Sequence, residues 1–90
     1  MAKTFIDETL TQLDRTMEES AWKIVPEYSG RSRVYRAKLG IYFCVACVAS
    51  VWHIAYRNKY APLRLVEFRA TGNPDKDYVS ILDNILKIIY

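Results

Sequence analysis

The feature that most constrains this chain is an uncharged run of eighteen residues, Leu39–Tyr56, in the middle of the sequence. The run contains no Asp, Glu, Lys, Arg, Asn, Gln or Pro, and Lys and Arg residues cluster on both sides of it. Such a segment must be buried by the rest of the chain, pair with it, or lie in a membrane. The conformation of this run therefore decides the fold.

Two conformations compete for the run. Its β-branched and aromatic residues favour strands. However, Ile41–Arg57 contains no Gly, Pro, Asn or Asp to indicate a turn, and one strand typically spans only about 5–6 residues. We therefore predict one long central helix over Ser32–Asn58, in which Gly40 costs about 1 kcal/mol relative to Ala. The less apolar residues also recur at helical steps of three and four; they are Tyr42, Ala46, Ala49, Ser50, His53 and Arg57.

A first helix is predicted from Thr4 to about Ile24. Apolar residues recur there at spacings of three and four, and Thr4 and Asp7 have the spacing of a capping box. Pro26 disfavours helical backbone at the residue before it, so the helix should end there. This segment therefore supplies one amphipathic element.

The last third of the chain carries clearer boundaries. Pro62 suits the first turn of a short third helix that ends by Thr71, although a strand over the same residues is the alternative. Gly72 then ends one element, Asn73 caps the next and Pro74 occupies its first position. We predict a final amphipathic helix after this boundary.

These elements predict an all-α fold of about four helices, with residues 1–90 forming a single domain. The alternative is an α+β fold with two flanking helices and a small antiparallel sheet from the middle of the chain. We expect no membrane span, because Ser50 and His53 interrupt the apolar run and the neighbouring amphipathic segments need an apolar partner. The first residues lack the apolar core of a secretory signal, which together with two closely spaced cysteines predicts a cytoplasmic protein.

The charges are distributed unevenly along the chain. Ser29–Gly72 contains eight Lys and Arg residues and one Glu, whereas Met1–Tyr28 contains three basic and six acidic residues. Arginine suits the recognition of phosphate and carboxylate groups, and interleaved tyrosines are typical of nucleic-acid surfaces. We predict a binding site for an anionic partner, formed by Arg31, Arg33, Arg36, Lys38, Arg57, Lys59, Tyr35 and Tyr60.

One condition and one alternative bear on this site. A central helix would separate the two basic clusters by about 30 Å, so that folding or a dimer would have to bring them together. The arginines could instead pair with acidic residues of the first helix, such as Asp14, Glu18 and Glu19. The sequence alone does not decide between a shared site and neutralised surface.

The remaining reactive side chains give no catalytic or metal signature. Cys44 and Cys47 have the CxxC spacing, but no neighbouring charge favours a thiolate, so we interpret them as packed residues. His53 has no recognisable nucleophile or orienting residue and is interpreted as a hydrogen-bonded boundary residue. We therefore expect no cofactor, no metal and no catalytic residues.

Composition and patterning lead to two functional hypotheses. The first is a small non-enzymatic interaction or regulatory protein with an oligomeric apolar core and a basic, tyrosine-containing surface. The second is a protein that binds nucleic acid or a phosphorylated ligand through its basic central segment. The expected partners are a second copy of the chain and a protein or anionic macromolecule.

Overall fold

The computed structural model describes residues 4–25, 32–37 and 40–89, which form two helices and one five-stranded antiparallel sheet. Each strand pairs with its neighbours in sequence, so the strand order is β1-β2-β3-β4-β5. The fold is therefore α+β: the predicted all-α domain is wrong, and the alternative fits. The elements in chain order are α1 Phe5–Glu19, β1 Lys23–Ile24, β2 Ser32–Arg36, β3 Ile41–Val48, β4 Val51–Asn58, β5 Ala61–Arg69 and α2 Pro74–Ile89.

The predicted central helix does not exist. The uncharged run instead forms β3 and most of β4, joined as a hairpin that Val48 and Val51 close. The two residues between them, Ala49 and Ser50, have φ values of 51° and 62°. Two-residue hairpin turns need this left-handed backbone, which Asn-Gly usually supplies. The helix prediction failed because the turn is formed by Ala and Ser, neither of which favours a left-handed backbone.

The predicted third helix from Pro62 to Thr71 is also wrong, because these residues lie mainly in β5. Within the described residues this strand pairs only with β4, which places it at the edge of the sheet. An edge strand tolerates Pro62, since one side of its backbone has no ladder hydrogen bonds to form. The alternative prediction of a strand over these residues is confirmed.

The start of α1 confirms the predicted capping box. Thr4 Oγ1 accepts a hydrogen bond from the backbone N–H of Asp7 at 3.2 Å. The Asp7 carboxylate accepts one from the Thr4 N–H at 3.4 Å. Two backbone donors at the helix start are thus satisfied locally.

The end of α1 differs from the prediction. The helix ends at Glu19 and not near Ile24, because Ala21 adopts a left-handed φ of 69°. The N–H of Trp22 then donates to the carbonyl of Met17 at 2.8 Å, which closes the last turn. The residues that follow are free to form β1.

The boundary before α2 is as predicted. Gly72 has a φ of 85°, and Pro74 is the first residue of the helix. Asn73 Oδ1 accepts hydrogen bonds from the N–H groups of Asp75 at 3.0 Å and Lys76 at 3.3 Å. Asn73 is therefore the N-cap of α2.

Both helices pack on one face of the sheet. Leu10 and Leu13 of α1 and Ile81 of α2 are fully buried in one apolar cluster with alternate strand residues. Cross-strand pairing places those strand residues on the same face. They are Tyr35, Phe43, Val45, Cys47, Trp52 and Ile54.

The opposite face of the sheet is covered by neither helix. Val48 and Leu63 on this face are 61% and 63% exposed. We call it the open face. By strand alternation and register, its residues are Lys23, Ser32, Val34, Arg36, Tyr42, Cys44, Ala46, Val48, Val51, His53, Ala55, Arg57, Leu63, Leu65, Glu67 and Arg69.

Candidate anion-binding site

The register of the sheet brings basic residues from three strands into one row on the open face. Lys23 of β1 pairs with Arg36 of β2, Arg36 with Tyr42 of β3, and Tyr42 with Arg57 of β4. We call these four residues the basic row. Neighbouring strands are about 4.8 Å apart, so the backbones of Arg36 and Arg57 are only about 10 Å apart. The sheet thus joins the two basic clusters that a helix would have separated.

A half-open groove of about 850 Å³ lies over three residues of this row, Arg36, Tyr42 and Arg57. Its volume is within the range of about 300–1,000 Å³ typical of small-molecule sites. Three cations, Arg36, Arg57 and Lys59, line it, and no described residue of the lining is a carboxylate. The other side chains of the described lining include Val25, Val34, Tyr42, Cys44, Ala61 and Leu63.

An irregularity in the sheet shapes the groove beside Arg57. The pairing of β4 with β5 shifts between Tyr56 and Asn58, so Arg57 has no residue of β5 directly opposite it. Such a bulge changes the local twist and re-aims side chains. Arg57 consequently lies between Tyr42 of β3 and the groove-lining Leu63 of β5.

The cations of the groove are not neutralised by the described part of the chain. Among the described residues, the side chains of Arg36 and Arg57 form no ion pair and donate no hydrogen bond. Burial raises the pKa of the Cys44 thiol, and the nearby Arg57 guanidinium lowers it by less. The thiol is therefore protonated at neutral pH, so the groove has a net positive charge that suits an oxyanion.

Two predicted site residues lie on the other face. The Asp14 carboxylate accepts hydrogen bonds from Arg33 Nε at 3.2 Å and from the Tyr35 hydroxyl at 2.6 Å. Tyr35 is fully buried, and burial followed by its hydrogen bond to Asp14 raises the pKa of its hydroxyl. Arg33 is therefore neutralised by the acidic first helix, which was the alternative to a binding role, and neither residue belongs to the groove.

The remaining predicted residues divide into two groups. Lys59 lines the groove, and Tyr60 follows it in the β4–β5 turn with its side chain 77% exposed. The Lys59 ammonium lies 4.9 Å from the centroid of the Tyr60 ring. Arg31 and Lys38 lie outside the described residues.

Sequence reasoning missed two members of the basic row. Lys23 lies in an acidic part of the sequence, and Tyr42 was assigned to the polar side of a helix. The strand alternative could have identified Tyr42, because alternation places Tyr42 on the same face as Cys44. Recognition of Lys23 also required the register of β1 against β2.

The CxxC pair lies in β3 and points in two directions. Cys47 is buried under the helices and Cys44 lies on the open face, because residues three apart in a strand face opposite sides. Their Cα atoms are about 10 Å apart along the strand, too far for a disulfide. Burial, and then the Asp77 carboxylate, raise the pKa of the Cys47 thiol. The pair therefore lacks the geometry and the thiolate of a redox site.

His53 is in the middle of the open face. It pairs across the strands with Glu67, and its Nδ1 lies 3.4 Å from a Glu67 carboxylate oxygen. Ser50, which the helical interpretation placed beside it, is in the hairpin turn. Across the described residues, no three His, Cys, Asp or Glu side chains form a group that could hold a metal ion.

Comparison of the chain with protein-family models, with curated proteins and with solved structures found no significant match. Neither helix in the described part of the chain is long and apolar enough to cross a membrane.

Proposed function

We propose that this chain is a small non-enzymatic interaction protein that binds the oxyanion of a phosphorylated or carboxylated partner on its open face. One observation supports the proposal most strongly. Arg36, Arg57 and Lys59 line one groove with no carboxylate among its described lining residues, whereas Arg33 is paired with Asp14. Exposed cations concentrated in a concavity raise the local concentration of anions and steer their approach.

The chemistry of the groove matches an oxyanion. A guanidinium group offers parallel N–H donors that fit two oxygens of a phosphate or carboxylate. Hydrogen bonds to charged groups contribute about 1.5–3 kcal/mol each. Arg36 and Arg57 lie on either side of Tyr42, so an anion held between the two guanidinium groups would be within reach of both.

Nucleic acid is a second candidate partner, and one observation favours it. The exposed Tyr60 ring lies beside the groove and next to Lys59, where it is available for stacking on a base. A nucleic acid that contacts several cations releases their counterions, so its affinity would fall steeply as salt concentration rises. Groove binding of a single oxyanion group predicts a shallower salt dependence.

Self-association is also part of the proposal, through a different surface from the predicted one. The predicted central helix is absent, and we assign the contact to a second copy bound at β5. Among the described strands only β4 pairs with β5, so one edge of β5 is unpaired there, and its Leu65 is 55% exposed. Exposed strand edges pair readily with other strands. We place the protein in the cytoplasm because both cysteines are free thiols.

The proposal is tested by calorimetric titration of the intact chain with pyrophosphate at low ionic strength. We expect Arg57→Gln to weaken binding about 10-fold or more, because one charged hydrogen-bond donor is lost. Arg69→Gln is the matched control, since Arg69 is exposed on the same face but does not line the groove. Equal effects of the two substitutions, or no binding by the unmodified chain, would contradict the proposal.

A further inference from the structure

The groove combines cations with apolar side chains. Val25 and Val34 lie at its β1–β2 end, on the side of Arg36, and Leu63 lies at its β5 end, on the side of Arg57. A site for a bare inorganic ion needs only the cations. The aliphatic side chains on both sides leave room for a ligand with an apolar part.

Leu63 is the apolar lining residue whose solvent exposure a bound ligand would reduce most. Its side chain is 63% exposed, whereas Val34 is already partly buried in the sheet. The gain from covering an apolar side chain is roughly proportional to the apolar area removed from water. A ligand held by Arg57 that extends over Leu63 would therefore gain affinity from both contacts.

We infer that the groove takes a single amphipathic oxyanion, with a phosphate or carboxylate head group between Arg36 and Arg57 and an aliphatic body over Leu63. This inference rests on the proposed function, because it assigns the head group to the same two arginines. It names the class of ligand: a small organic anion that carries an alkyl chain.

The lining favours an alkyl body over a nucleobase. A base binds by stacking on aromatic rings, and Tyr42 is the one aromatic side chain among the described residues of the lining. The neighbouring Val34, Cys44 and Leu63 offer flexible or branched aliphatic and thiol surface. Burial keeps the Cys44 thiol neutral by raising its pKa, so this part of the groove adds no charge.

The test compares octyl phosphate with methyl phosphate, which share a head group, by calorimetry on the intact chain. Each buried methylene increases affinity about fourfold, so burial of four or more predicts that octyl phosphate binds at least about 250-fold more tightly. Arg57→Gln should weaken the binding of both ligands. Leu63→Asn should weaken octyl phosphate about 10-fold and leave methyl phosphate unchanged.

Leu65→Asn is the matched control for Leu63→Asn. Leu65 is the same residue type on the same strand and face, with 55% exposure, and it does not line the groove. Equal loss of octyl phosphate binding in both variants would overturn the inference. So would binding of the chain to phosphatidic acid vesicles without binding of free octyl phosphate, because a surface contact needs no groove.

The outcomes separate this inference from the proposed function. If octyl and methyl phosphate bind equally and both depend on Arg57, the inference of an amphipathic ligand is wrong, but the proposal of oxyanion binding is supported. If neither ligand binds, both fail. If octyl phosphate binds more tightly and Leu63→Asn removes the difference, the inference is supported.

Discussion

Arg36 and Arg57 lie on opposite sides of Tyr42 in one row across β2, β3 and β4. Their positions follow from the register of two hairpins, and in the described part of the chain neither arginine is paired with an acidic side chain. Like charges this close raise the free energy of the unliganded protein, and a bound oxyanion relieves the repulsion. This unrelieved repulsion supports our proposal that Arg36 and Arg57 bind an oxyanion.

The Ala49–Ser50 turn predicts that a turn substitution will stabilise the protein. Ser50→Gly removes a side chain from a residue with a φ of 62°, where non-Gly residues cost about 1–2 kcal/mol. We expect the free energy of unfolding, measured by urea denaturation, to rise by about 1 kcal/mol.

Ser20→Gly is the control for this substitution, because Ser20 is also exposed but has a φ of −94°. Glycine there only increases the freedom of the unfolded chain, so we expect no gain in stability. A Ser50→Gly variant no more stable than the Ser20→Gly variant would contradict the left-handed turn.

Burial of Tyr35 predicts a loss of stability at alkaline pH. The unfolded chain releases the Tyr35 proton near pH 10, whereas burial and the hydrogen bond to Asp14 keep the folded hydroxyl protonated. Above about pH 10, deprotonation of this group stabilises the unfolded state, so the free energy of unfolding falls by about 1.4 kcal/mol per pH unit.

Tyr35→Phe removes this titration. Urea denaturation of both proteins from pH 8 to pH 11 should show a steeper alkaline decline for the unmodified chain. Parallel curves would mean that the Tyr35 hydroxyl is accessible to solvent in the folded state.

The opposite orientations of Cys44 and Cys47 predict that the folded chain forms no internal disulfide. Mild oxidation with diamide should leave the mass of the folded monomer unchanged, because the two thiols lie on different faces of the sheet. Cys44 should react with a thiol reagent before Cys47, since Cys47 is buried under the helices. A monomer lighter by two hydrogens would show that the strand opens or that β3 is not formed.

The exposed edge of β5 predicts concentration-dependent association with a second copy. Leu65→Glu should reduce it, because a two-fold axis through the centre of β5 would bring two carboxylates together. Val79→Glu is the control, as Val79 is 60% exposed on α2. Sedimentation velocity should show reduced association for Leu65→Glu alone, and a strictly monomeric unmodified chain would contradict the proposed contact.

The helix starts were predictable from the sequence because their determinants are local. Thr4 with Asp7, and Asn73 with the two residues after Pro74, form hydrogen bonds within three positions of the chain. The middle of the chain was not predictable in the same way. Its hairpin depends on two residues whose left-handed backbone is favoured by strand pairing and by the core, not by their own preferences.

The site was predictable only in part for a related reason. Arg36, Arg57 and Lys59 were identified from charge, but which arginines share a face depends on strand alternation. Alternation places Arg33 on the helix-covered face, where it pairs with Asp14, and Arg36 on the open face. Charge alone identifies candidate residues, and the register decides which of them meet.

Amide chemical shifts during a titration with phosphate test most directly whether the groove binds an oxyanion between Arg36 and Arg57. We predict that the largest shifts occur at Arg36, Tyr42, Arg57 and Lys59, with saturation at one equivalent, while the amide of Arg69 is unaffected. Saturable shifts centred on Arg69 or on the helices, or no saturable shifts at all, would contradict the account.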